Sequence, residues 1–152
     1  MNEMLKLMHD RRSTRAYRPE PLQEAVIQQI LEAGRFAPSG MNKQLNHVIT
    51  DPNYLADLTA LVSRKMENYR DKDFRYGAPV LVLVTNQKES TTCVQDASCA
   101  MENMMLAAFS LGVGSCWINQ LRETCDVPEV RALLTEYGVP EDHIVVCSAA
   151  IG

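Results

Sequence analysis

Arg11, Arg12 and Arg15 surround Ser13 and Thr14, and Arg18 follows three residues later, giving the densest basic cluster in the sequence. These residue types suit a phosphate. A phosphomonoester carries about −1.5 to −2 charges, and guanidinium forks grip its oxygens through paired, charge-assisted bonds that a serine hydroxyl can supplement. The competing account is a solvated basic turn, since surface charge runs are usually just that.

Little else in the chain could carry chemistry by itself. His9, His47 and His143 are far apart and have no Cys, Asp or Glu at metal-ligand spacing, so no metal site is expected. There is no Gly-x-Ser-x-Gly elbow and no convincing Ser, His and Asp set. The segment Thr85 to Thr92 follows an apolar run but holds no glycine to admit a pyrophosphate, and Gly112-x-Gly114 follows a helical pattern where a dinucleotide site needs a strand. Cys93, Cys99, Cys116, Cys125 and Cys147 form an odd set without a CxxC pair, and no apolar signal segment precedes them, which reads as a reducing cytoplasm. Cys116 lies in an apolar stretch without His or Lys beside it, and a buried, inert thiol is expected there and at the other four.

A chain of 152 residues and 17.0 kDa fits one domain spanning 1–152. Its 46% hydrophobic and 22% charged residues match a globular composition. Fifteen Lys and Arg against nineteen Asp and Glu leave a net charge of −4, so no global field favours nucleic acid or an anionic membrane. Any anion must be caught locally. The long apolar stretch from Ala97 to Ile118 contains Glu102, Asn103, Gly112 and Gly114, which is poor for a bilayer span and better for a buried helix.

Periodicity supplies the elements that must position the basic cluster. Helices are predicted over about Glu3 to His9, Leu22 to Phe36, Tyr54 to Tyr69, Gln95 to Leu111 and Pro128 to Tyr137. Asp51 with Pro52, and Asp126, are the expected caps for the third and last of these. Strands are predicted at His47 to Thr50, Pro79 to Val84, Ser115 to Ile118 and Ile144 to Ile151. The unbroken Val80-Leu81-Val82-Leu83-Val84 run reads as a central strand covered on both faces. From Val80 the strand and helix patterns alternate, which would suit a doubly wound nucleotide fold, but the missing glycine loop argues against that fold.

Three segments carry a family resemblance that extends over essentially the whole chain. They are Arg11-Arg12-Ser13-Thr14-Arg15-Ala16-Tyr17, the stretch Ile30 to Gln44 containing Ala37-Pro38-Ser39-Gly40-Met41-Asn42-Lys43-Gln44, and Leu106 to Ile118 containing Gly112-Val113-Gly114-Ser115-Cys116-Trp117-Ile118. In this order they resemble the nitroreductase family of FMN-dependent NAD(P)H oxidoreductases. The resemblance implies an α+β fold of three α/β/α layers with a central mixed sheet, and a cytoplasmic homodimer. It also implies hydride transfer from NADH or NADPH by a ping-pong mechanism to nitroaromatics, quinones or similar acceptors.

By the same resemblance Arg11, Arg12, Ser13 and Arg15 would hold the FMN phosphate and ribityl chain. If the segment is extended, residues 11, 13 and 15 project to one side and converge on one anion. Pro38, Ser39, Gly40, Asn42 and Gln44 would reach across the dimer to the partner's flavin, although Asn42 and Gln44 could instead be turn-capping amides. Ser115, Cys116, Trp117, Ile118 and Asn119 would lie along the ring, with a backbone amide donating to flavin N5. Trp117 would border the ring or fill the core. Lys72 and Arg75 are candidates for the cation that relatives place near flavin N1 and O2, the other account being solvated loop charge. Relatives usually continue past the strand matching Ile144 to Gly152 into a tail that embraces the partner, whereas this sequence ends at Gly152. It also lacks the insertion that builds a helical lid in larger members, so an open site is expected.

In such an enzyme the flavin performs the chemistry, and the protein positions and tunes it. Two other functions remain open at this stage. One is a flavin-binding protein for storage or sensing, without catalysis. The other is an interaction domain that uses Arg11, Arg12, Arg15 and Arg18 as an anion patch.

Overall fold

The computed structural model describes residues 1–70 and 72–152. Its elements run α1 (Glu3–Asp10), α2 (Glu24–Arg35), β1 (Leu45–Ile49), α3 (Pro52–Lys65), a 3₁₀ turn (Glu67–Tyr69), β2 (Val80–Gln87), α4 (Cys93–Ser110), β3 (Ser115–Ile118), α5 (Gln120–Thr124), α6 (Pro128–Glu136) and β4 (His143–Ile151). The sheet order is β1-β2-β4-β3, and each neighbouring pair is antiparallel. Strands β2 and β3 therefore run parallel to each other, joined by α4, with β4 inserted between them. That insertion explains why the sequence mimics a parallel crossover. The parallel pairing of the expected mixed sheet is confined, among the described residues, to a single bridge between Ser13 and Ser115.

The predicted central strand divides the core in two. Val80, Val82 and Val84 pack with Ile27, Ile30 and Leu31 of α2 and with Ala97, Met101 and Met104 of α4. Leu81 and Leu83 face the other way, toward Leu55, Leu58 and Val62 of α3, Leu121 of α5 and Val130 and Leu134 of α6. Burying each such aliphatic side chain contributes about 1.5–3 kcal/mol, so this strand anchors both layers. The α+β, three-layer architecture follows. Gly34 lets α2 approach α4 closely, since a Cβ there would lie 2.8 Å from Met104 Cγ. No helix among the described residues is long and apolar enough to cross a membrane.

Several boundaries differ from the sequence pattern for local reasons. Strand β2 runs on through Thr85, Asn86 and Gln87, past a register shift at Val84/Thr85, into what reads as loop in the sequence. Asp51 caps α3 as expected, accepting from the Tyr54 amide at 2.8 Å, but the helix ends at Lys65 and a 3₁₀ turn follows. Asp126 does not cap α6. The cap is Val127, and the Asp126 carboxylate is taken by Lys88 and Arg131, each at 2.8 Å. Helix α5 has only five residues, too few to leave a periodic trace.

A polar chain crosses three strands. His47 Nε2 lies 3.0 Å from the Thr85 hydroxyl, which lies 3.0 Å from His143 Nδ1. Burial holds both imidazoles below the usual histidine pKa; His143 adds to the effect on His47, and Arg131 adds to it on His143 against the opposing pull of Asp142. Both rings therefore hold a second proton less tightly than in the unfolded chain.

Candidate functional site

The basic segment is seated against the free edge of the sheet. The Thr14 amide donates to the Ser115 carbonyl at 2.9 Å, and Ser13 forms the bridge to Ser115. Close packing fixes this corner, because a Cβ on Gly114 would lie 2.9 Å from the Thr14 side chain. Gly114 and Gly152 exchange two backbone hydrogen bonds, at 2.8 and 3.1 Å. The Tyr17 hydroxyl sits 2.7 Å from the Thr14 carbonyl and 3.2 Å from that of Ala150. Burial pushes its pKa up, so it remains a donor.

The side chains of this segment have different fates. Thr14 turns inward, and Ser13 and Arg15 stay exposed on the opposite side of the extended chain. No hydrogen bond or ion pair engages Arg15 among the described residues. Arg11 is half-buried, its Nε 3.9 Å from Glu102 on α4. Arg12 does not join them. Its guanidinium curls back onto the carbonyls of His9 and Arg11 at the end of α1, where the last turn leaves acceptors without partners.

Strand β3 splits the Ser115–Asn119 group by face. Cys116 and Ile118 are 3% and 2% exposed and pack into the α3/α5/α6 core, so their side chains cannot line a ligand as the sequence grouping suggested. Ser115 and Trp117 point the other way. Ser115 Oγ is buried and has no hydrogen-bond partner among the described residues. The Trp117 indole packs partly against the α4 core, and its Nε1 donates to Asn119 Oδ1 at 2.6 Å. The Gly114–Gly152 pair exchanges both bonds, so the alternation of an antiparallel ladder turns the Ser115 and Trp117 backbone groups away from β4. Thr14 occupies the Ser115 carbonyl on that outer edge. Beyond Ser13 the Trp117 amide faces no further strand of the sheet.

The second motif forms a tight turn elsewhere. The Ser39 hydroxyl accepts from the Asn42 amide at 3.1 Å and donates to Gln44 Oε1 at 2.5 Å. Met41 and Asn42 both take left-handed backbone conformations, φ 87° and 53°. Pro38, Gly40 and Asn42 are exposed. The Gly40 amide donates to Asp96 Oδ1 at 2.9 Å, which ties the turn to the first turn of α4. Asp96 carried no signal in the sequence, because its partner lies 56 residues earlier.

Helix α4 separates the two regions. Trp117 and Asn119 line a cavity of about 490 Å³ with Val94 and Ser98 of α4. Asp96, which accepts from the Gly40 amide, sits two positions from each of these, about 200° round the helix at 100° per residue. One chain therefore presents the corner and the turn on different sides of α4.

Arg75 has structural employment. Its Nε donates to the Thr59 hydroxyl at 2.6 Å and one terminal nitrogen to the Ala78 carbonyl at 2.7 Å, with Asp73 at 3.3 Å from the other. Lys72 is exposed and donates to the Asn68 carbonyl at 3.3 Å. Neither is hydrogen-bonded to the corner. Of the cysteines, Cys116, Cys125 and Cys147 are buried as expected, but Cys99 is exposed and Cys93 half-buried on α4. Burial pushes the Cys147 thiol up to about 12, which keeps it unreactive.

The exposed donors of this edge fit a phosphorylated ligand: a guanidinium at Arg15 that has no partner among the described residues, the hydroxyl of Ser13 and an outward amide at Trp117. The sequence pattern of the nitroreductase family matches residues 8–152, and the chain belongs to that family. A nitroreductase with bound FMN from Bacteroides fragilis shares 40% identity and a TM-score of 0.95, covering 100% of this chain and 88% of its own. An FMN-dependent nitroreductase from Clostridium difficile shares 29% identity and a TM-score of 0.77 over 97% of this chain and 86% of its own. A curated protein of Archaeoglobus fulgidus, with an NADH dehydrogenase/NAD(P)H nitroreductase name, is 31% identical over 162 residues, covering 100% of this chain and 86% of its own length.

Proposed function

We propose that residues 1–152 form one FMN-binding domain of a homodimeric NAD(P)H-dependent oxidoreductase. Bound there, FMN would supply the hydride chemistry that links NADH or NADPH to a nitroaromatic, quinone or similar acceptor in a ping-pong cycle. The observation that carries this reading is the seating of Ser13 on Ser115 at the outer edge of β3, the edge toward which the Trp117 amide also turns, in a sheet whose fold matches an FMN-bound relative. Arg15 and Ser13, with Arg11 beside them, hold the phosphate. Arg12 closes the end of α1 and acts on the site only by holding Arg11 and Ser13 in place.

The Trp117 amide suits a ring nitrogen that alternates between acceptor and hydride carrier, because a fixed backbone dipole exchanges no proton and needs no reorganisation. The Trp117 indole, which packs partly against the α4 core, would border the ring. Dimerisation is supported by two features. The Pro38–Gln44 turn lies on the far side of α4 from the corner, so a two-fold related copy is what brings the turn of one chain to the corner of the other. An exposed apolar surface is also available, lined by Met4, Met8, Phe36, Leu106 and Ala107 of α1, α2 and α4.

Steady-state kinetics test the proposal. With FMN-reconstituted protein, varying NADPH at several fixed quinone concentrations should give parallel double-reciprocal lines. Intersecting lines rule out the ping-pong cycle, and NAD(P)H oxidation no faster than that of free FMN rules out the enzyme.

A further inference from the structure

We infer that Asp96 is the positioning residue of this site: its buried carboxylate clamps the Gly40 amide and so sets where the Ser39–Asn42 turn meets the flavin. The inference rests on the flavin reading above. Asp96 is 4% exposed on the first turn of α4. One carboxylate oxygen accepts from the Gly40 amide at 2.9 Å, and the other from the Thr92 hydroxyl at 3.0 Å and the Asn86 side-chain amide at 3.4 Å. No cation pairs with it among the described residues. A carboxylate buried without a cation is costly, and here three donors and the positive end of α4 offset that cost.

Helix α4 does not itself require this arrangement. Its N-cap, Thr92, spends its hydroxyl on Asp96 and makes no side-chain cap bond to the helix amides. The turn does require it. Met41 and Asn42 are consecutive left-handed residues with side chains, and strain of that kind persists only where the surroundings over-determine it. Ser39 fixes the turn from within, through the Asn42 amide and Gln44. Asp96 fixes it from outside, and Gly40 leaves no slack, since a Cβ there would lie 2.7 Å from Thr92 Oγ1. Asn42 and Ser39 are thereby presented in one preset geometry, which spares the site an ordering step on binding.

The test measures FMN dissociation constants by flavin fluorescence for wild type, Asp96→Asn, Asn42→Ala and the double variant, with circular dichroism on each. Asp96→Asn keeps an acceptor for Gly40 but turns an amino group toward the donors of Thr92 and Asn86. Its dissociation constant should rise about tenfold, the scale of one lost charged hydrogen bond. The double variant should bind little worse than Asn42→Ala alone, because a loosened turn no longer presents Asn42. Penalties that multiply fully, or unchanged FMN affinity in Asp96→Asn, overturn the inference. Should Asp96→Asn fail to fold, Gly40→Ala decides, since it pushes an exposed turn off Thr92 and leaves the core intact. Weakened FMN binding then supports the clamp and unchanged binding overturns it. A wild type that takes up no FMN overturns the flavin reading and this inference together, whereas equal binding by wild type and variant overturns the inference alone.

Discussion

Arg12 and Arg15 stand three residues apart, and the fold gives them opposite work. Arg12 closes the end of α1 and Arg15 keeps its donors free. Replacing Arg15 with Ala should therefore raise the FMN dissociation constant about tenfold or more, for a charged hydrogen-bond set worth about 1.5–3 kcal/mol. Arg12→Ala should change it far less and lower the melting temperature instead; equal losses of affinity in both variants would contradict the assignment. The type and spacing of these arginines were legible in the sequence, but their division of labour was not, because it depends on where α1 stops and which carbonyls it leaves open. Cys116 and Ile118 show the same limit. The motif containing them was plain, yet only the pleat of β3 shows that their side chains serve the core while the Ser115 and Trp117 backbone groups turn away from β4.

At the scale of elements, the strongly patterned segments were legible: the unbroken Val80 to Val84 run, the apolar α4 and the Ser115 to Ile118 strand all form as expected. What escaped depends on tertiary partners. Asp126 reads as a cap until Lys88 and Arg131 reach it, and the Asp96 clamp joins segments too distant to share a period. Gly114 is the element-level hinge of the account, since it lets the basic segment lie on β3. Gly114→Ala should cost about 1–3 kcal/mol through overpacking against Thr14 and should weaken FMN binding with it. Normal stability and affinity in that variant would show that the corner is not tightly set. The His47–Thr85–His143 chain ties β1, β2 and β4 together. Both histidines sit below the unfolded value of 6.5, so the unfolded chain binds more protons in that window and stability falls as pH drops through it. Thermal melts across that range should show the fall, and His47→Gln should reduce it. A profile identical to wild type would remove His47 from the explanation.

For the whole molecule, the decisive feature is that the corner and the turn lie on different sides of α4, while α1 and α2 leave Met4 59%, Met8 50% and Phe36 78% exposed. The proposed two-fold pairing of chains would answer both, burying the apolar surface and completing two flavin sites. Sedimentation of the holoprotein should show a dimer at about micromolar concentration, and Phe36→Asp should shift it toward monomer while releasing FMN. A flavin-loaded monomer would contradict the shared site.

The central claim, that this chain carries FMN reducible by a nicotinamide, is tested most directly by the visible spectrum of the FMN-loaded protein before and after anaerobic NADH or NADPH. A flavin spectrum at one FMN per chain, bleaching on addition of the nucleotide, is the expected result. A protein that takes up no FMN, or one that stays yellow with both nucleotides, would contradict it.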